Sequence, residues 1–313
     1  MMLPVQLTGT FARSQNLIRA TRDFDRGRTS HSELEKVRRE DVKRLIELQA
    51  GFEYVIDGNL LWQDLFRPFS EAEGIELGPL TRFFETNTFF RRPIITGKIH
   101  LPPEKIGQYF YFDLMPDNRK VILPGPVTFW AMSENRYYKK DFLFDLAHTL
   151  NQILRYLYQQ GVKTIQFSEP YLAYNGKNLK KKDWTQAKTT YQIISQMRNN
   201  MEIGIATYFG DFSEITQLLK FPIDFVTIDL TATSTKKLKI ETDKKIGLGC
   251  IDATNSLLEV PKSVIKFVAD LIKRFKLKRF FICPNCDLDF LPYSVAEKKV
   301  AILRKVAEQF KQY

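Results

Sequence analysis

IATYFGDFSEI, residues 205–215, reads as the upper end of a barrel strand turning into its loop. The apolar run stops at a Tyr-Phe-Gly corner. Asp211 follows, and a Ser-Glu pair then offers the start of a helix. A strand that passes through a short turn into a helix is one unit of an alternating βα chain, and the sequence on either side repeats that unit.

Seven further runs have the same character: VQLTG (5–9), EYVID (53–57), KVILPGPVTF (120–129), KTIQF (163–167), FVTID (225–229), IGLGCID (246–252) and RFFIC (279–283). With EIGIATYF (202–209) they make eight candidate strands. Several are apolar without alternation, the pattern of strands buried on both faces. Between them, residues 32–50, 141–159, 261–275 and 294–313 carry apolar side chains at helical spacing. This order predicts an α/β fold, a single (β/α)8 TIM-type barrel spanning residues 1–313. Residues 58–119 are too long for one connection. They read as a β-hairpin insertion after strand 2, built from PIITGKIHLP (93–102) and QYFYFDLM (108–115).

The 313 residues are 44% hydrophobic, enough for a sizeable core, and no apolar run approaches the length of a membrane span. The opening MMLPVQLTGTFARSQ lacks the features of a secretory signal, and three cysteines make no disulfide framework, so a cytoplasmic location is expected. The formal charge is +11. Basic residues are scattered and no RNA-binding aromatic motif lies among them, so a solvated surface or a rim that steers a small polyanion fits better than a nucleic-acid partner.

Barrel chemistry gathers at the C-terminal strand ends. There the sequence places Thr8, Thr10 and Arg13, then Asp57 and Asn59, Thr128, Glu169, Tyr208 and Asp211, Asp229, Asp252 and Asn255, and finally Cys283, Asn285 and Cys286. Such a ring of carboxylates, amides and hydroxyls suits a polar ligand. It contains none of the three histidines (His31, His100, His148), so neither a Ser-His-Asp nor a Cys-His arrangement is supported. CPNC (283–286) stands without a second Cys pair. It reads either as small residues at a crowded rim or, with Asp229 and Glu169, as part of an atypical metal site.

LTRFFETNTFF (80–90), GPVTFWAMS (125–133), IQFSEPYL (165–172), TYFGDFSE (207–214), FPIDFVTIDL (221–230), IGLGCIDATNS (246–256) and CPNCDLDFLP (283–292) together resemble cobalamin-independent methionine synthase. They are more similar to the amino-terminal barrel of that two-barrel enzyme than to its catalytic barrel. The family's catalytic barrel holds zinc through a His-x-Cys pair, a Glu and a distal Cys, and zinc makes a thiolate of homocysteine that attacks the methyl group of methyltetrahydrofolate. Carried over by position, the His-x-Cys pair falls on Ala206 and Tyr208, and the Glu falls on Asp229. Cys286 is the one ligand position retained, so the resemblance implies no zinc on this chain. It implies instead a folate-binding barrel that assists methyl transfer, with a separate zinc-bearing barrel protein as partner. The amino-terminal barrel holds the folate and its glutamate tail with basic residues in the first loop and before the Phe-x-Thr-Asn run. Here Arg13, Gln15, Asn16, Arg19, Arg82 and Asn87 occupy those places, with Glu169, Tyr208, Asp211 and Asp229 at the strand ends.

Overall fold

The computed structural model describes residues 3–138 and 142–310. Along the chain come α1 (Gln15–Asp25) and α2 (His31–Leu48), then an antiparallel hairpin of β1 (Glu73–Arg82) and β2 (Phe89–His100). The short α3 (Pro103–Gly107) leads to β3 (Lys120–Pro124), α4 (Pro126–Met132), the two-residue β4 (Glu134–Asn135) and α5 (Leu143–Gln159). Strand and helix then alternate through β5 (Thr164–Ser168), α6 (Pro170–Tyr174), α7 (Lys181–Ile194), β6 (Glu202–Thr207) and α8 (Ile215–Leu218). The chain continues through β7 (Phe225–Asp229), β8 (Lys245–Ile251), α9 (Pro261–Phe275), β9 (Phe280–Pro284) and α10 (Tyr293–Gln309). The expected helices at 141–159 and 294–313 extend, at residue 141 and at residues 311–313, outside the described residues.

Strands β3, β5, β6, β7, β8 and β9 pair in parallel in that order. Backbone hydrogen bonds close the ring. Ile282 N–H donates to Pro4 O at 2.9 Å and Gln6 N–H to Ile282 O at 3.1 Å, which sets the first segment beside β9. Glu53 N–H donates to Val5 O at 2.9 Å, and Lys120 N–H to Val55 O at 2.8 Å, so the second segment bridges the first to β3. The expected strands at 5–9 and 53–57 are thus present as seam positions, each reduced to one parallel bridge, Val5 to Ile282 and Val55 to Arg119.

Inside the barrel floor, Phe225 and Phe281 meet edge to face with centroids 5.7 Å apart. Gly204 and Gly247 make room for them: a Cβ at either position would lie 2.1 Å from the Phe225 ring or 2.5 Å from the Phe281 ring. The buried Lys120 ammonium sits over both rings and donates to Gln6 Oε1 and Leu7 O, each at 2.9 Å. Outside, α9 shows why the helices form. Pro261 opens its first turn, Val264, Ile265, Val268 and Leu271 make one buried stripe, and Lys273 and Arg274 sit in the last turn before a left-handed Lys276.

Two expectations change. The strand expected over 120–129 stops at Pro124, because Pro126 has no N–H to give a ladder and instead occupies the first turn of α4. The hairpin pairs residues 73–82 with 89–100, not 93–102 with 108–115. Gly78-Pro79 hides β1 from period-two reading, and the pairing absorbs it as a register shift between Leu77 and Leu80. Pro103 starts α3 and ends any strand there, and Phe110 and Tyr111 turn into the core as irregular chain.

Aromatic packing fixes the hairpin to the barrel. The Phe66 ring lies 5.1 Å from Phe90 of β2 and 5.3 Å from Phe129 of α4, centroid to centroid. Arg136 N–H donates to Ile95 O at 2.9 Å beside the β2–β4 pairing. Phe66 is 2% exposed. Phe66→Ala should therefore cost about 3–5 kcal/mol, read as a lower urea midpoint. A loss under about 1 kcal/mol would mean that this ring does not hold the hairpin in place.

Candidate functional site

The C-terminal strand ends face a cleft roofed by the hairpin tip. One chamber, about 350 Å3, is lined by residues including Thr10, Arg13, Trp62, Phe83 and Asp287. A second, about 610 Å3, is lined by residues including Phe84, Asn87, Tyr174, Phe209 and Asp229. Thr88, Asp289 and Phe290 belong to both and form the partition.

Most of the polar strand ends are spent on the protein's own loops. Glu169 is fully buried. Its Oε1 accepts from Val127 N–H at 3.0 Å and Tyr191 OH at 2.9 Å, and its Oε2 from Thr128 N–H and Thr128 Oγ1, both at 2.7 Å. Burial pushes its carboxyl up to about 7, although every one of these donors favours the ionised form. Asp229 Oδ1 accepts from the Thr231 amide and hydroxyl, Ala232 N–H and Asn285 Nδ2, while Oδ2 accepts from Phe209 N–H at 3.3 Å. Asp57 takes the amides of Asn59 and Tyr111, and burial raises it to about 6. Asp211 takes Ser234 N–H at 3.3 Å and an ion pair with Lys177 at 3.5 Å.

The remaining expected positions divide. Gln15, Asn16 and Arg19 lie exposed on α1, a helix where a loop was expected, and line neither chamber. Arg82 is exposed and staples the hairpin turn, donating to Thr86 O and, at 3.2 Å, to Asn87 Oδ1. Tyr208 is wholly buried, with its hydroxyl beside Asp287 and Ser168 but without a hydrogen bond of ordinary geometry. Its titration is raised well above the usual phenol range by burial and then by the Asp287 charge. Arg13 lines the first chamber and makes no hydrogen bond or ion pair among the described residues.

Several cleft residues went unread in the sequence. Asp289 opens into both chambers, and no other side chain donates to its carboxylate among the described residues. Exposed to the cleft yet walled by protein, its carboxyl is raised well above the ordinary range by desolvation and then by the adjacent Asp287. The D-L-D spacing of 287–289 after the last strand was the available signal. Phe84 and Phe209 hold positive φ, 48° and 68°. For bulky residues this costs about 1–3 kcal/mol each, and such strain clusters at functional sites.

A zinc site of the kind implied by the resemblance does not fit these side chains. Ala206 has no donor, Tyr208 is sealed in, and Asp229 is occupied by its loop. The Cys286 thiol is buried and its titration raised well above its usual range. The alternative cluster of Cys283, Cys286, Asp229 and Glu169 is not assembled either. Cys283 packs with Phe225 and Phe281 in the barrel floor, and no group of three metal-binding side chains forms among the described residues. No helix is long and apolar enough to cross a membrane among the described residues.

Residues 67–276 match the family model described as "Cobalamin-independent synthase, N-terminal domain". A methionine synthase of Sulfurisphaera tokodaii is 26% identical over 310 residues, covering 96% of this chain and 90% of that protein. One from Sulfolobus acidocaldarius is also 26% identical, covering 96% of this chain and 89% of its own length. In fold, the chain is similar to a B12-independent methionine synthase from Shewanella sp. W3-18-1 solved with selenomethionine, with TM-score 0.76, 17% identity, and 100% and 98% of the two chains covered. A putative vitamin-B12 independent methionine synthase from Listeria monocytogenes gives 0.73 at 18% identity over 100% and 98%.

The buried Glu169 carries a pH signature. Its carboxyl is raised in the folded state from an ordinary 4.5 to about 7. The ionised form is disfavoured only when folded, so the native state loses stability as pH climbs through that window. Glu169→Gln cannot titrate. The stability advantage of the wild type over Glu169→Gln, from urea unfolding, should shrink between about pH 5 and about pH 8. A constant or growing advantage would show the carboxyl ionised throughout.

Proposed function

This chain belongs to the cobalamin-independent synthase N-terminal domain family, and we propose that it is the folate-side barrel of a methionine synthase system. In this reading the cleft binds a methyltetrahydrofolate-type pterin with an acidic tail. A separate barrel protein carries the zinc that holds homocysteine as a thiolate, since zinc lowers a thiol's pKa enough to supply the nucleophile near neutral pH. This chain contributes binding and orientation of the methyl donor, and the partner contributes the attacking sulfur.

The observation that carries the reading is Arg13. It is a guanidinium on the wall of the first chamber with no ion-pair partner among the described residues. Burial lowers its titration while Asp289 acts in the opposite sense, and an arginine fork matches a carboxylate bidentately. The net charge of +11 favours approach of an acidic tail. Leu257 at 74% exposure and Val260 at 62% stand on the loop after β8, next to the cleft-lining Thr254, and offer an apolar rim for a partner barrel.

A second reading has its own support. The archaeal relatives are single chains of about this size called methionine synthase, so a self-sufficient methyltransferase is the competing case. The purified chain, given methyltetrahydrofolate and homocysteine, should make no methionine alone. It should strongly raise the folate-dependent activity of a zinc-bearing barrel from the source cell. Robust turnover by the chain alone, with about one zinc per chain lost in Cys286→Ser, would favour the competing case. Arg13→Ala should weaken a polyglutamylated folate roughly ten- to a hundredfold, as removal of a charge-assisted contact does. A monoglutamate should lose less. Equal affinities of wild type and Arg13→Ala at low salt would take Arg13 out of the site.

A further inference from the structure

We propose that the basic groove on the outer wall of the barrel, between α7 and α8, binds an acidic segment of a partner protein. The inference is independent of the ligand read into the cleft, and the groove shares no lining residue with either cleft chamber. It holds about 550 Å3. Lys181 and Lys188 of α7 line it together with Lys220, which follows α8, and Trp184 and Phe221 give it an aromatic floor.

Three observations set the groove apart from a solvated basic surface. First, its charge is uncompensated. Lys181, Lys188 and Lys220 make no hydrogen bond or ion pair among the described residues, and Glu214, the acid in the lining, pairs with none of them. The acids close by in the chain are engaged elsewhere. Asp183 accepts Lys180 N–H at 2.8 Å at the start of α7, and Asp211 takes Lys177 at 3.5 Å. Ammonium groups gathered on a concave wall focus a field that draws in a polyanion.

Second, the floor offers a fixed donor. Trp184 packs edge to face on Phe221 with centroids 6.4 Å apart, and Phe221 lies 5.6 Å from Tyr191. Trp184 is 8% exposed, yet its indole N–H meets no acceptor among the described residues. A buried indole normally has one, and a ligand carboxylate supplies it. Third, the spacing suits an extended chain. Lys181 and Lys188 are roughly 10 Å apart along the helix axis. An extended acidic run advances about 3.3 Å per residue, so several carboxylates fall within that span. A nucleic acid fits less well. No arginine lines the groove to take phosphates or base edges bidentately, and Trp184 is too buried for a base to stack on it.

The test uses the full chain and fluorescein-labelled octa-aspartate, with octa-asparagine and an oligothymidylate of equal length as comparisons. At low salt the wild type should bind octa-aspartate at least about tenfold more tightly than either, and added salt should weaken it. Lys181→Glu combined with Lys220→Glu should lose at least about tenfold, whereas Lys266→Glu combined with Lys273→Glu, an equal charge change on the exposed face of α9, should lose less than about threefold. Trp184→Phe keeps a ring in the floor and removes the N–H, and should lose about threefold or more. Arg13→Ala should bind the peptide as the wild type does. Unchanged far-ultraviolet circular dichroism and thermal midpoint verify that each variant is folded. Equal losses in the two double variants would show that the peptide reads net charge alone and would overturn the proposal. So would loss of binding in Arg13→Ala, which puts the peptide in the cleft, wild-type affinity in Trp184→Phe, or tighter binding of the oligothymidylate. Self-association of the wild type that the groove variant abolishes would assign the groove to a second copy of this chain instead.

Discussion

A single buried carboxylate ties the top of the barrel together. Glu169, at the end of β5, takes the first amides of α4, the Thr128 hydroxyl and the Tyr191 hydroxyl of α7. It thereby fixes where α4 starts, and α4 carries Phe129. Phe129 meets Phe66, Phe66 meets Phe90, and the hairpin is seated on that aromatic chain. The hairpin tip then roofs the cleft. A buried carboxylate with four donors is an expensive way to begin a seven-residue helix. It becomes intelligible because the roof over the cleft depends on that helix being in one place.

The same logic sorts the polar residues of the cleft. Asp57, Glu169, Asp211 and Asp229 all sit at strand ends, and all are consumed by loop amides or neighbouring side chains. They shape the walls of the site and have little left to offer a ligand. Arg13 and Asp289 are the complementary case, ionisable groups in the cleft that feel each other's charge but make no side-chain hydrogen bond or ion pair among the described residues. Arg13 on the wall of the first chamber and Asp289 on the partition act on each other's charge, and both stay within reach of a polar ligand in that chamber.

Much of the barrel could be read from residues. From Lys120 onward the strands are continuous apolar runs, and FVTID and the helix at 261–275 fall where spacing puts them. The first two strands kept their positions but not their length, because each contributes one bridge to a seam. The hairpin was misplaced because Gly78-Pro79 breaks alternation in the true β1, while the aromatic run 108–115 imitates a strand and is core loop. The site was less legible for a different reason. Strand-end position identifies which side chains are near the cleft but not which remain unsatisfied there. Arg82, which the resemblance places at the glutamate tail, is engaged with its own turn. Left-handed φ at Phe84 and Phe209 leaves no compositional trace, since glycine or asparagine is what such positions normally advertise.

The seam that closes the ring joins Val5 to Ile282, nearly the full length of the chain. Loop closure over such a span is entropically costly, and the return is one bridge on each side of two short segments. The six-stranded sheet from β3 to β9 can assemble from neighbours in sequence, but until the seam forms its two outer strands present unpaired backbone. The join between Val5 and Ile282 is thus a single bridge between residues near opposite ends of the chain. Contact order predicts that this join forms late, and its few backbone hydrogen bonds predict early amide exchange there.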